Sequence, residues 1–385
     1  MEKFVFHVVS LPHTQTTREY ISCAYTQKVI KFADMMTKLG HTVYVYSSEE
    51  NEALCDEHIP IVTKKEQQEW FGEQDYKSKF YHLYWSTDHD SWQTMNSRAA
   101  TMIREKRHSE QDFVCVIGGI CQKQIADELP EMITVEFGIG YSGIFSPYKV
   151  FESYAWMHNV YGMAGIEDGQ FFDTVIPNYF DPNDFEFSAE KDDYVLYIGR
   201  MISRKGIETA VEATKRSGHK LVLAGQGVTH WEPGRLQTAD FTIEADHMEF
   251  VGHLDLKARS DMMKRACAVM LCTNYLEPFG GTSIEPLFCG TPVITTDWGA
   301  FPENNIHGLS GYRGRTIGEF VWALKNVDKL DPYKIRKYAI NNFGLDRCAI
   351  QYQAYFEQLN TLWKDGWYSA WDRGVAEYER YKKIM

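Results

Sequence analysis

Apolar and polar residues follow one another along this chain in blocks that spell strand, helix, strand. "KFVFHVVSL" near the start is an apolar strand, and "TVYVYSS" is another. Between them, "YTQKVIKFADMMTKLGH" sets Val29, Phe32, Ala33 and Met36 at i, i+3, i+4 and i+7, with Gly40 placed to stop the helix. A β-α-β unit of this kind predicts a parallel sheet. Further strands are expected at 80–85, at "FVCVIGG" (113–119) and at "MITVEF" (132–137). A second series opens at "DYVLYIGR" and runs through a helix at 207–216, "KLVLAGQG" and "HMEFVGHL". It continues with a helix at 257–266, "AVMLCTN", a helix at 282–289 and "TPVITTD". "VIPNYFDPNDF" (175–185), with two prolines and polar turn formers, reads as the linker. The prediction is two doubly wound α/β domains, at 1–178 and 179–365. Such sheets take ligands beyond the carboxyl ends of their strands, so a cleft between the domains is the expected site.

Bulk properties narrow the class. The 385 residues are 44% hydrophobic and 14% aromatic, a globular composition with room for two cores. No apolar run approaches a membrane span, and the start lacks the longer apolar core of a signal peptide. The eight cysteines are scattered without a C-x-x-C pair, which fits reduced thiols in a cytoplasmic protein and no metal site. A net charge of −13 counts against nucleic acid or anionic lipid as partner. "REKRH" (104–108) is a local exception, read as a basic acceptor patch or as a solvated helix end, the second being the commoner case.

Chemistry concentrates in the second half. Strand 194–198 ends in Gly199-Arg200, and Lys205-Gly206 opens a helix facing the sheet with Ile207, Ala210 and Val211. Free amides and two cations at one point suit a phosphate or diphosphate, and a solvated turn with surface cations is the plain alternative. In "NYLEPFGGTSIEPLFCGTPVITTDWGAFPE", Glu277 and Glu285 bracket Pro-Phe-Gly-Gly-Thr-Ser-Ile. Gly280 and Gly281 leave the backbone bare for a ligand. Thr282 to Glu285 fits a capping box, with Thr282 as N-cap, so Glu285 also has a purely structural explanation.

Together these segments resemble the nucleotide-sugar half of GT-B glycosyltransferases, specifically the retaining enzymes of glycosyltransferase family four. The hallmarks are Gly199-Arg200…Lys205-Gly206 and Glu277…Glu285, supported by "VIPNYFDPNDF", "LVLAGQG", "FVGHLD" and "CGTPVITTDWGAFPE". The resemblance spans about 175 to 315. It implies two Rossmann-like domains and a last helix, about 366–385, crossing back to the first. It implies sugar transfer from a nucleotide-diphosphate donor (UDP- or GDP-sugar) to a glycan or other hydroxyl acceptor, with retention and without a metal. Arg200 and Lys205 would hold the leaving diphosphate, together with Gly199 and the backbone from Phe279 to Ser283. Glu285 would bind the ribose, Glu277 the donor sugar, and His253 would line the donor site. A GT-B protein that only binds a nucleotide sugar or glycan is the alternative, and an epimerase or NAD oxidoreductase the third.

The first half departs from the family. "VEFGIGYSG" matches G-x-G-x-x-G, but a dinucleotide fingerprint needs a helix next and then a strand with a terminal acid. Pro147 interrupts any such helix, and no strand with a terminal acid follows at the required distance of roughly 20 residues. Gly138, Gly140 and Tyr141 are instead expected to wall the acceptor side, with His13 in the loop "SLPHTQTTREY". Relatives carry a His at the end of the strand where this chain has Glu136. Either Glu136 takes over that contact, or His158 in "FESYAWMH" reaches the site. "TDHD" (87–90) has the Asp-x-Asp spacing of metal-dependent transferases, and an acceptor contact or helix N-cap is the alternative. Trp363, Trp367, Trp371, Val375 and Tyr378 form a helical aromatic stripe expected to be packing.

Overall fold

The computed structural model describes residues 2–20, 23–73 and 83–363. They divide into two compact units. The first contains the chain up to Glu152, then Val160–Tyr179, then the chain from Leu345 onward; the second contains Ser153–Asn159 and Phe180–Gly344.

The first unit is built on a seven-stranded parallel sheet. Its strands are β1 (Val5–Val9), β2 (Thr42–Ser48), β3 (Glu57–Val62), β4 (Phe113–Val116), β5 (Ile133–Ile139), β6 (Tyr148–Phe151) and β7 (Thr174–Val175), in the order 3-2-1-4-5-6-7. Helix Ala24–Lys38 buries Val29, Phe32, Ala33 and Met36, the face its spacing predicts. Its C-terminal turn ends before Gly40, whose φ of +81° suits glycine. β4 and β5 are buried along their whole length, as parallel strands covered on both faces must be.

Helix Leu345–Asn360 packs into this same core. Phe356 meets Phe6 at 4.6 Å and Phe113 at 4.8 Å between ring centroids, and Tyr352 meets Phe32 at 5.1 Å. Trp363 reaches Phe113 at 5.3 Å, which makes the first ring of the aromatic stripe a packing residue. The helix expected at 366–385, with Trp367, Trp371, Val375 and Tyr378, lies outside the described residues.

The second unit has a six-stranded parallel sheet: β8 (Tyr194–Ile198), β9 (Lys220–Ala224), β13 (Met248–Phe250), β14 (Ala268–Leu271), β15 (Val293–Thr296) and β16 (Gly311–Gly314), in the order 13-9-8-14-15-16. Between β9 and β13 the chain makes a three-stranded antiparallel sheet from β10 (Val228–Glu232), β11 (Arg235–Thr238) and β12 (Thr242–Glu244). Helix Ile207–Ser217 buries Ile207, Ala210 and Val211, again as its spacing predicts.

Two expectations are corrected. Residues 83–85 are not a strand; they form the irregular approach to helix Asp90–Lys106, and 80–82 lie outside the described residues. The helix expected at 282–289 is a 3-10 turn, Gly281–Ser283, followed by a single α-turn, Glu285–Phe288. Pro286 sits in that first turn, where a missing N–H costs least. No helix among the described residues is long and apolar enough to cross a membrane.

Candidate active site

The loop leaving β8 is fixed by backbone bonds. Gly199 donates to Ala224 (3.0 Å) and Met201 to Gln226 (2.8 Å), tying it to the loop after β9. A 3-10 turn, Ser203–Lys205, then delivers the chain to Gly206 at φ +72°. A Cβ there would fall 1.9 Å from the Cys272 carbonyl oxygen, so only glycine lets the helix start this close to β14. The Arg204 carbonyl accepts from Asn274 (3.0 Å) and from the Thr273 hydroxyl (2.9 Å), which locks this loop to the one after β14.

The lock sets cations against carboxylates. Lys205 donates to and pairs with Glu277, both side chains mostly buried. The Arg204 guanidinium lies 4.3 Å from the Tyr275 ring centroid, with Lys205 at 5.2 Å from the same ring. Arg200 is exposed, and its carbonyl accepts from the Tyr197 hydroxyl (3.0 Å). Glu277 is seated by Gly299, whose tight turn (φ +60°) brings it against the Glu277 backbone, and by Ala300, which donates to the Glu277 carbonyl (3.1 Å).

The loop after Glu277 turns at Gly280 (φ +77°), where a Cβ would meet the Phe301 ring at 2.7 Å. Ser283 is buried, its hydroxyl donating to the Gly280 carbonyl (2.8 Å). The capping box expected at Thr282–Glu285 does not form. Ile284 occupies the N-cap without a side-chain bond, because the preceding residues are wound as 3-10 rather than extended. Glu285 pairs instead with Arg259, on helix Leu256–Arg265, the side chains 14% and 15% exposed. Arg259 escaped the sequence reading, because nothing in its local spacing marks it as the partner of a residue 26 positions on. His253 is exposed just before that helix; burial first, and Arg259 second, lower its pKa.

The Phe279 ring is 2% exposed and packs on Phe180 and Phe343, so its ring serves the core and only its backbone is offered to a ligand. Ser153–Asn159, from the first half of the sequence, belongs to this unit. The Ser153 hydroxyl donates to the Pro278 carbonyl (2.5 Å), and the Tyr154 and Ala155 amides donate to Glu303 at 2.8 and 2.7 Å. His158 is exposed on helix Tyr154–Ala164, in the unit that carries Glu277.

In the first unit, Glu136 is wholly buried. Its carboxylate accepts from the Phe145 and Ser146 amides (both 2.8 Å) and from the Tyr141 hydroxyl (3.1 Å). Burial raises its pKa to about 7 against the opposing effect of those bonds. It therefore clamps its own loop, 141–146, from beneath. Gly138 turns at φ +62° over buried Lys28, which donates to its carbonyl (2.9 Å) and pairs with Glu152. Gly140 ends β5's run partly exposed. His13 is 7% exposed, and burial lowers its pKa to about 3.

After the glycines comes no helix but β6, and Glu152, just past its end, stands only nine residues beyond Gly143, short of the roughly 20 a dinucleotide fold needs. The helix that a dinucleotide loop needs is absent there. His89 of "TDHD" caps helix Asp90–Lys106, accepting from the Ser91 amide. "REKRH" is neutralised: Arg104 pairs with Glu128, Lys106 with Glu57 and Arg107 with Glu131.

Residues 181–325 match the family described as glycosyl transferases group 1. AviGT4, a glycosyltransferase involved in avilamycin A biosynthesis, superposes with a TM-score of 0.62 at 18% identity, covering 93% of this chain and 98% of its own. The chain has the GT-B fold, and its residues 181–325 match the group 1 glycosyltransferase domain. HepE from Anabaena, solved in complex with UDP and glucose, shares the GT-B fold at a TM-score of 0.60 and 12% identity, covering 93% of this chain and all of HepE. Glycogen synthase of Mycobacterium tuberculosis is 32% identical over 147 residues, which is 36% of this chain. That alignment takes in about a third (35%) of the synthase. The group 1 domain contains every donor-side residue expected from the sequence, from Gly199 to Glu285.

Proposed function

We propose that this GT-B protein is a retaining glycosyltransferase that moves a hexosyl or pentosyl group from a nucleotide-diphosphate sugar to an acceptor hydroxyl without a metal. The observation that carries it is the pairing of Lys205 with Glu277 and Arg259 with Glu285, flanking a glycine-bared loop within the group 1 domain. Negative charge grows on the departing diphosphate, and Arg200 and Lys205 are full positive charges at the loop where it would leave. Glu277, freed from Lys205 as the diphosphate takes the lysine, would accept from the donor-sugar hydroxyls. Glu285, oriented by Arg259, would accept from the ribose hydroxyls. HepE's bound UDP and glucose make UDP-glucose the first donor to try.

Charge-assisted bonds of about 1.5–3 kcal/mol each correspond to losses of roughly one to two orders of magnitude. Arg200→Ala and Lys205→Ala are each expected to lower kcat/KM by about that factor. Glu285→Ala and Arg259→Ala are expected to act chiefly through the donor KM. The measurement is nucleoside diphosphate release from a UDP- and GDP-sugar panel with excess EDTA, with the product anomer read by NMR. Donor binding without turnover would leave a nucleotide-sugar-binding protein; no binding at all would end the reading.

A further inference from the structure

The first unit carries a ring-lined rim that none of the donor chemistry uses. Its pieces come from the loops at the carboxyl end of the parallel sheet: the stretch after β1, the end of helix Lys64–Phe71 after β3, residues 84–92 entering helix Asp90–Lys106, and the loops after β4 and β5. Tyr84 and Trp85 are 56% and 49% exposed there. They are held out rather than loosely placed. Trp92, fully buried, donates its indole N–H to the Tyr84 carbonyl (2.8 Å) and backs Trp85 at 5.7 Å between centroids. Tyr25 meets Trp85 edge-on at 6.1 Å and Tyr141 at 5.9 Å. Tyr84 stacks on His89 at 5.0 Å.

The backbone below is cut away to seat these rings. A Cβ at Gly118 would lie 2.8 Å from the Trp92 ring, and one at Gly119 (φ +58°) 2.7 Å from the Tyr141 ring. The rim also has a polar edge. His13 packs against Phe71, which stacks on Tyr84, and its Nδ1 is buried without a hydrogen-bond partner. Among the described residues, Lys28 is engaged with Glu152 and Gly138, and Arg18 with Asp34. Neither of these two cations is left over to meet a phosphorylated or anionic acceptor.

We propose that this rim is an acceptor subsite and that the acceptor is a neutral saccharide whose pyranose ring stacks on Trp85 and Tyr84. A pyranose has one face of polarised C–H bonds, which the electron-rich face of an indole or phenol attracts, and an edge of hydroxyls, which unpaired polar atoms attract. An acyl chain would fit the rings but not the polar edge, and a phosphate neither. The inference rests on the transferase reading above and adds the acceptor's chemical class.

The test uses the full-length protein with UDP-glucose and GDP-mannose, and with maltose, cellobiose, lactose and methyl α-mannoside as probes. Tryptophan fluorescence reports saccharide binding, and nucleoside diphosphate release reports transfer. At least one saccharide is expected to saturate both signals and to speed release tenfold or more over hydrolysis. Trp85→Ala is expected to raise that saccharide's half-saturation at least tenfold without moving the donor's, and Trp85→Phe to stay within about threefold of the parent. A melting curve checks that these exposed positions leave the fold intact. If no donor binds, the transferase reading fails and the inference falls with it. If donor turns over but no saccharide responds, or Trp85→Ala leaves the half-saturation unchanged, the acceptor inference alone is overturned.

Discussion

Glu136 accepts three hydrogen bonds from its own loop yet has no exposed surface, and its charge is the part that burial penalises. With the folded pKa raised from 4.5 to about 7, the folded chain holds the proton more tightly than the unfolded one. The stability this lends is complete below pH 4.5 and is lost as the pH climbs through 7, to a total of about 3 kcal/mol. Glu136→Gln keeps an oxygen for the two amides and removes the titration. The melting temperature of the variant should therefore gain on that of the parent between pH 5 and pH 8; a constant offset would refute the assignment. The position was visible in the sequence as a departure from a family histidine, but its role was not. "MITVEF" gives no sign that an acid inside it turns inward, because both faces of a central parallel strand are covered. Lys205, Glu277 and Glu285 were legible because their motifs are local. Arg259 and Lys28 were not, because only the fold brings them to partners far along the chain.

At the level of elements, the loop from β8 into helix Ile207–Ser217 depends on one residue. Gly206→Ala must accommodate both a positive φ and a contact 1.9 Å from the Cys272 carbonyl. Positive φ alone costs a non-glycine residue about 1–3 kcal/mol, and the collision adds to it. Loss of at least that much stability in urea unfolding is expected, with weakened donor binding, since Lys205 is the preceding residue. A variant as stable as the parent would show that the helix start can move. Helices and strands were legible where the apolar period was clear and long, as at 24–38 and 207–217. Short elements were missed, β6, β7 and β16 spanning four, two and four residues, and so were longer ones: β3 and the helices Pro332–Phe343 and Leu345–Asn360. The antiparallel insert escaped because only Leu236 and Thr238 in β11 and Ile243 in β12 are buried, too few to set a period of two. The helix expected at 282–289 was shortened by the 3-10 turn that Gly280 introduces.

Across the molecule, the alternation of strand and helix was enough to read two doubly wound units, but not where the chain passes between them. Ser153–Asn159 and the helix from Leu345 each belong to a unit their sequence neighbours do not suggest, since packing partners rather than local pattern decide membership. Phe356 is fully buried among Phe6, Phe32 and Phe113. Phe356→Ala should cost the first unit about 3–5 kcal/mol by calorimetric or denaturant unfolding. A shift below about 1 kcal/mol would be in the range of an exposed site and would discount this helix as core. The same contact bears on how the protein is made. A ribosome delivers the whole second unit, through Gly344, before it delivers Phe356, so Phe6, Phe32 and Phe113 emerge early and wait for a cover that is translated late. The half synthesised first is the half completed last. During that interval its uncovered aromatic rings are what a chaperone, or a neighbouring nascent chain, would meet.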